Sequence, residues 1–281
     1  HLIAKNAYTY VQNTARQFDS EIAYLVQRTD SIFSSLLFDE NVERLMMDAY
    51  TQNTPAYLNA LQKQFSAYSV MNRDLSEIAL VTPEMAWSSG FDAAALRGLA
   101  AEIEGTTESV CLGLRRPPLA HDAAPRLIFA RNKYGMYGHT AYGKKLGCIV
   151  LSLDLSRSAV TLPPMDKTDI CFLLLDSQGN AYPFNCDDAA LSEILAQYRT
   201  ENGALPEEGT LQTRDYLLHI TKLGQTGLAV ISAASRQSLI RDACSAALIL
   251  TGIVLLTVLA VGILMVLILL SMVRPLDKLS A

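Results

Sequence analysis

Residues 146–156 read LGCIVLSLDLS. Ile149, Leu151, Leu153 and Leu155 point one way, and Cys148, Val150, Ser152 and Asp154 the other. A period of two over such a run is the mark of a β-strand. One face is aliphatic throughout; the other ends in a hydroxyl and a carboxylate. Working upstream, Arg126–Asn132 and Ser109–Leu114 read as two further strands. The stretch between them, RRPPLAHDAAP, is rich in proline and reads as a loop. Phe91-Asp92 opens a helix that runs to about Glu104, with Asp92 as its N-cap. Ile78–Thr82, the turn Pro83-Glu84 and Met85–Ser88 form a strand pair ahead of it.

The first 38 residues contain neither glycine nor proline. Ala4, Tyr8, Val11, Ala15, Phe18, Ile22, Leu25, Thr29, Ile32 and Leu36 follow one another at alternating steps of four and three. That is a heptad stripe, so one long helix is expected. A second stripe runs through Val26, Phe33 and Leu37. Two stripes suggest one face for a partner helix and one for the protein's own sheet. The other reading is a single amphipathic helix packed on its own domain. Asp39–Asn41 breaks the helix, and shorter helices follow over 42–71 around Thr54-Pro55.

Downstream of the opening strand, 161–167 with Pro163-Pro164 reads as a linker. A smaller unit follows. Asp169–Leu175, the turn Asp176–Asn180 and Ala181–Phe184 make a hairpin. Asp188–Arg199 is a helix, and Gly209–Arg214, Tyr216–Leu223 and Leu228–Ala233 complete an antiparallel sheet. Each unit repeats hairpin, helix and three antiparallel strands. The fold class is α+β: a long N-terminal stalk helix, two antiparallel-sheet units and a transmembrane helix.

The transmembrane helix is read from residues 244–273, which contain no Asp, Glu, Lys, Arg or His. A span needs about 20 apolar residues. The run lies at the C-terminal end, so it is not a signal peptide. Arg236 and Arg241 precede it and Arg274 and Lys278 follow, so the flanking charges leave its orientation open. The chain has 281 residues, 50% of them hydrophobic and 18% charged, with a net charge of −5. Disorder and a disulfide-stapled mini-protein are excluded, and a basic face for nucleic acid is not indicated. The chain begins at His1 and stops eight residues past the run, so both ends read as cuts in a longer protein.

This order of elements resembles the double Cache (tandem PAS-like) extracellular sensor of bacterial transmembrane receptors. Gly147–Asp154 is similar to that family's closing strand, and Phe172–Pro183, FLLLDSQGNAYP, to the hairpin of its membrane-proximal unit. The phrase ending at Ser235 is similar to its final strand, and Arg274-Pro275-Leu276 with Leu279 to the opening of a HAMP linker. The long helix and the phrase around Asp39-Glu40-Asn41 look most like sensor histidine kinases that pair with AraC-class response regulators. Chemotaxis receptors and cyclic-dinucleotide enzymes use the same sensor. The resemblance implies a helical stalk (1–66), a membrane-distal unit (67–162), a membrane-proximal unit (163–234), an exit helix (235–243), the span (244–273) and a HAMP start (274–281). Residues 1–243 would be extracellular, with a first span upstream and a kinase core downstream.

No catalytic constellation is present. His1, His121, His139 and His219 lie far apart without metal-ligand spacing, and Trp87-Ser88-Ser89-Gly90 is not a nucleophile elbow. Gly135, Gly138 and Gly143 form no phosphate loop. No cofactor and no metal are expected. In a Cache-like unit small ligands sit between the sheet and the elements covering one face. That directs attention to Ser152 and Asp154, to Arg131, Tyr134, Tyr137 and Tyr142, and to Trp87, the single tryptophan. A carboxylate takes an amine or hydroxyl, and tyrosines stack on cyclic solutes. The amino-acid-binding subclass has Arg followed by Trp-Tyr, whereas Arg131 is followed by Asn-Lys-Tyr; only Asp154 and a tyrosine match.

Expected partners are a small solute such as a sugar, or a solute-binding protein; a second copy through the N-terminal helix; the membrane; and a response regulator through the kinase core. A membrane-anchored interaction or scaffold domain is the other class of reading. Five cysteines stand at 111, 148, 171, 186 and 244. Cys171 and Cys186 flank the hairpin turn symmetrically and are either a cross-strand disulfide or buried thiols. Cys244 faces lipid or links two subunits.

Overall fold

The computed structural model describes residues 2–48, 55–88, 90–117, 124–137, 141–158, 170–184, 186, 191–192, 194–196, 208–212, 215–224 and 226–277. The linker at 161–167, the centre of the proline-rich loop, Gly138, His139, and Lys278 and Leu279 of the HAMP-like start lie outside these. Helix α1 (Leu2–Leu37) is followed by α2 (Glu40–Asp48) and α3 (Pro55–Met71). Asp39 sits at the break between α1 and α2; its carboxylate accepts from the amide of Asn41 at 2.8 Å and starts α2. Strands β1 (Leu75–Val81), β2 (Ala86–Trp87), β3 (Val110–Arg115), β4 (Arg126–Tyr134) and β5 (Lys145–Leu153) form an antiparallel sheet in the order β2-β1-β5-β4-β3. Helix α4 (Ala93–Glu102) lies between β2 and β3 in sequence, and α5 (Leu155–Ser158) follows β5. Asp92 caps α4 by accepting from Ala95 N at 2.7 Å, as its sequence position predicts.

The second sheet repeats the topology. Strands β6 (Ile170–Asp176), β7 (Ala181–Pro183), β8 (Gly209–Gln212), β9 (Tyr216–Lys222) and β10 (Leu228–Ser235) lie in the order β7-β6-β10-β9-β8. Residues 191–192 and 194–196 are helical, and Ile194 packs on this sheet with Leu173, Leu218 and Ile231. Cys171 and Cys186 are joined by a disulfide. Pro183 pairs with Leu173, so the two cysteines sit one residue off the symmetric register and bridge all the same.

Strand β10 runs without interruption into α6 (Arg236–Asp277). Leu248–Ile268 of α6 are 21 residues with mean hydropathy 2.8, none buried against the rest of the protein. At 1.5 Å per residue they reach about 30 Å, the thickness of a bilayer core.

One face of both sheets packs on α1. Phe18, Ile22, Leu25, Ile32, Phe33 and Leu36 share a core with Ile78, Leu80, Phe129, Ile149 and Leu151 of the first sheet and with Phe172, Leu174 and Val230 of the second. The Phe18 ring stacks on Phe172 with centroids 4.4 Å apart. The alternation read in residues 146–156 is realised: Ile149, Leu151 and Leu153 face α1, and Cys148 and Val150 face α4.

The described part of the heptad stripe faces the protein's own core, as the reading of a single amphipathic helix packed on its own domain expects. Ala15, Phe18, Ile22, Leu25, Thr29, Ile32 and Leu36 are all buried in the protein's own core. Val26, Phe33 and Leu37 of the second stripe join the same core. The exposed side of α1 carries Asn13, Arg16, Gln17, Ser20, Glu21 and Gln27. Over a few turns a 3.5-residue seam and a broad face packed on a sheet have the same spacing, so the sequence alone cannot separate them. The side chains of Ala4, Tyr8 and Val11 lie outside the described set.

Candidate functional site

The face of the first sheet that lies under α4 is apolar except at its two ends. Leu75, Ile78 and Leu80 of β1 face α1, while Ala79 and Val81 face α4. Strict alternation would put Leu75 with Ala79. A register irregularity between Leu75 and Glu77 puts Leu75 on the α1 side instead, while Glu77 keeps the α4 side in plain alternation with Ala79 and Val81. There the Glu77 carboxylate is buried, accepts from the Ser88 hydroxyl and, at 3.0 Å, from Gly90 N. The Arg126 guanidinium lies 3.6 Å from its second oxygen. The Ser88 hydroxyl in turn accepts from Gly90 N at 3.0 Å and Phe91 N at 2.9 Å. The chain at 90 therefore lies directly on the carboxylate; a Cβ there would come within 2.7 Å of it.

Ser152 is the direct neighbour of Glu77 across the ladder, with Ile128 on its other side. It is 2% exposed, and its hydroxyl has no hydrogen-bond partner among the described residues. At the opposite end of this face Asn132 donates to Ile103 O and Thr106 O, each at 2.8 Å, and its own side-chain oxygen is buried without a donor among the described residues. Buried polar atoms are nearly always paired, by protein, water or ligand. Two orphans on one otherwise apolar face mark it as a place where a polar solute or ordered water completes the bonding.

The seven residues singled out in the sequence do not converge. Ser152 lies on this face. Trp87 packs against the core under α3, 5.8 Å from the Phe65 ring. Arg131 donates through Nε to Thr107 O at 3.1 Å. Tyr134 is half-buried at the end of β4, opposite Lys145. Tyr142 is 75% exposed. Tyr137 donates its hydroxyl to Phe38 O at 2.9 Å and belongs with the turn between α1 and α2. Asp154 stands one residue past the end of β5, where it accepts from the Ser156 amide at 3.0 Å and hydroxyl at 2.6 Å and caps α5.

Sequence reasoning missed Glu77, Ser88 and Arg126. The signal for Glu77 was a lone carboxylate inside the apolar run LSEIALV. It missed as well the ion pair between Lys133 and Glu43, 2.6 Å apart and shielded from solvent on both sides. Burial acts to raise the Glu43 carboxyl, but the Lys133 ammonium and the amides of Tyr137 and Met136 outweigh it and hold it below the usual range. This pair ties α2 to the β4–β5 turn. Among the described residues no group of three His, Cys, Asp or Glu side chains converges on a metal-sized space. Burial pushes the thiols of Cys111 up to about 11 and of Cys148 up to about 12, so neither is a nucleophile at neutral pH.

No protein-family model and no curated protein matches the chain. Its fold is found among solved extracellular sensor domains. The extracellular domain of vpHK1S-Z8, assigned as a histidine kinase, superimposes with a TM-score of 0.56 at 14% identity, covering 84% of this chain and 96% of that one. A domain assigned to the sensory box/GGDEF family from Vibrio parahaemolyticus gives 0.55 at 13% identity, over 82% and 98%. The ligand-binding domain of the Campylobacter jejuni chemoreceptor Tlp3, in complex with L-norvaline, gives 0.54 at 11% identity, over 85% and 94%. The chain thus has the tandem PAS-like fold of bacterial extracellular sensor regions. The likeness at these identities is one of fold.

Proposed function

We propose that this chain is the extracellular ligand-sensing and transmembrane-signalling part of a two-component sensor histidine kinase. The distal unit (67–162) binds a small polar solute. The proximal unit (163–234), the exit helix (235–243) and the span (244–273) relay the event to a HAMP linker beginning at 274. The observation that carries this reading is the polar island of Glu77, Arg126 and Ser152 on an otherwise apolar, covered sheet face, with the Ser152 hydroxyl left unpaired among the described residues. A buried carboxylate beside a guanidinium offers both an acceptor for an amine or hydroxyl and a donor for an oxyanion. The Cys171–Cys186 disulfide supports an oxidising, extracellular setting for the region ahead of the span. With the stripe from Ala15 to Leu36 occupied, dimerisation falls to the span and to α1 ahead of Ala15.

The neighbours belong to receptors of three output types, which keeps a chemotaxis receptor or a cyclic-dinucleotide enzyme as the second reading. The experiment that tests ligand sensing is a thermal-unfolding screen of the chain in lipid nanodiscs against amino acids, sugars, polyamines and carboxylates. A specific solute at 100 times its Kd stabilises by about 2.7 kcal/mol. That stabilisation disappears in Glu77→Gln or Ser152→Val. If no solute at millimolar concentration moves the transition, the chain is an anchored interaction domain and the sensor reading fails.

A further inference from the structure

The hairpin turn of the second sheet reaches the first sheet through polar side chains, of which one is buried. Asp176, at the end of β6, is 1% exposed. Its Oδ1 accepts from the amides of Gln178 at 2.9 Å and Asn180 at 2.8 Å, which closes its own turn. Its Oδ2 accepts from Asn180 Nδ2 at 2.9 Å and from the amide of Leu114 in β3 at 2.9 Å. Leu114 is 62 residues away, in the other sheet. β3 is prepared for this contact. It is the edge strand of its sheet, and its register slips between Cys111 and Gly113. Gly113 has φ of +80°, and a Cβ there would stand 2.6 Å from Asp176 Oδ2. Only glycine allows both that backbone angle and that approach. Arg115 bonds Gln178, and Asn180 Nδ2 lies 3.4 Å from Leu114 O, on either side of the same contact.

We infer that the Asp176 carboxylate, seated on the Leu114 amide through the opening at Gly113, is the clasp that couples the distal unit to the strand leading into the span. The placement of both ends argues for this. On the distal side, Leu114 and Arg115 pair with Leu127 and Arg126, and Arg126 is the residue that faces Glu77. Pro117, two residues on, reaches the same place: its Cβ would lie 3.5 Å from one built on Gly90. On the proximal side, Asp176 pairs with Leu228, the first residue of β10, and β10 continues directly into α6. A solute that moves Arg126 or Pro117 pulls on the end of β3, and Asp176 carries that displacement to β10. Its role in signalling rests on the sensor reading proposed above; its geometry does not.

Asp176→Asn separates the two arms of the carboxylate. An amide side chain can keep its oxygen on the two turn amides, and its NH2 then meets the Leu114 amide and Asn180 Nδ2, donor against donor. The chain in nanodiscs is examined by hydrogen exchange at single-residue resolution and by unfolding. Unfolding of the distal unit is read from Trp87 fluorescence, and that of the proximal unit from exchange of β10. In the unsubstituted chain the two units unfold together. In Asp176→Asn the Leu114 amide exchanges at least about 10-fold faster while Gln178 and Asn180 change little, and the two transitions separate. Gly113→Ala, which leaves Asp176 in place, gives the same exposure of Leu114 and the same separation; it decides alone if Asp176→Asn does not fold. Unchanged Leu114 exchange, faster exchange confined to the turn, or transitions that stay coincident in the variants each overturn the clasp, as do separate transitions in the unsubstituted chain. Neither readout needs a ligand. A failed solute screen with separated transitions refutes the sensor reading alone, and a successful screen with coincident ones refutes the clasp alone.

Discussion

Replacing Lys133 by Met removes one side of the most enclosed ion pair in the protein. Both side chains are shielded, with 0% of Lys133 and 1% of Glu43 exposed. Without the ammonium, Glu43 keeps the amides of Met136 and Tyr137, at 2.7 to 3.0 Å, but no counter-charge. Leu37 O loses the ammonium as its donor. Breaking one side of a buried pair costs about 3–5 kcal/mol. For a chain of this size that lowers the melting temperature by roughly 10 °C. Trp87, the single tryptophan, sits in the same sheet and reports the loss by fluorescence.

The pH dependence gives the sharper test. In the native chain the Glu43 carboxyl lies below 4.5, so the unfolded state binds more protons between the two values. That part of the stability is present above 4.5 and is lost as pH falls through the folded value. In Lys133→Met the ammonium is gone and burial dominates, so the carboxyl is raised in the folded state. The same group then makes the folded state less stable as pH rises above 4.5, and the slope changes sign. The double variant Lys133→Met/Glu43→Leu costs less than the single Lys133→Met, because no charge is left buried. A Lys133→Met chain within about 1 kcal/mol of the parent, with the parent's pH slope, refutes the claim that this pair pins the α1–α2 turn to the sheet.

Four further outcomes follow from particular contacts. Burial raises the Asp19 carboxyl against the opposing effects of the Thr221 hydroxyl and His219, so its stability contribution is greatest below 3.8 and declines as pH rises through the folded value. Asp19→Asn keeps the acceptor for Thr221, 2.7 Å away, and is expected to be more stable than the parent at pH 7; lower stability at pH 7 on denaturant titration counts against this. Reducing the Cys171–Cys186 bridge, which closes a 15-residue separation, destabilises the proximal unit by about 3 kcal/mol, read as a reductant-dependent shift in its exchange. An alkylating reagent added to the folded chain should spare Cys111 and Cys148 and label both once the chain is unfolded. Leu25→Asp places a carboxylate in the core beneath α1 and exceeds the roughly 2–5 kcal/mol of a Leu→Ala change, so it unfolds the chain; a folded but dissociated species on sedimentation restores the heptad pairing.

The elements were legible in the sequence because each is amphipathic at its own period. The 36-residue α1, the alternating β5 and the Asp176 turn all fell where residue pattern placed them. What the pattern could not give was which partner each face meets. The stripe of α1 reads identically for a coiled coil and for a sheet, and the tertiary fold decides. The site was less legible for a related reason. Asp154 looked like a continuation of the β5 face, yet the strand ends at Leu153 and one residue turns its carboxylate into a helix cap. Glu77 fell outside the strand read over Ile78–Thr82, yet the strand begins at Leu75 and alternation with Ala79 and Val81 turns the carboxylate inward. Where a strand starts and stops is decided by backbone pairing with strands distant in sequence.

The two faces of the sheets set what a bound solute can move. Phe18, Ile22, Leu25, Ile32, Phe33 and Leu36 of α1 are 0–6% exposed in a core shared by both sheets. At about 1.5–3 kcal/mol for each such side chain, detaching α1 costs of order 10 kcal/mol. A tenfold change in output needs only about 1.4 kcal/mol of differential binding. A solute has no means of peeling α1 away and no need to. The inexpensive displacement lies at the opposite edge, where the units meet through one carboxylate and a few polar side chains rather than through a packed core. In the proposed sensor, with α1 as the fixed spine, a shift of the β3 end would turn the β6–β7 hairpin about that spine and tilt β10. In that sensor, because β10 enters α6 with no intervening loop, a tilt of the strand becomes a tilt or rotation of the apolar helix.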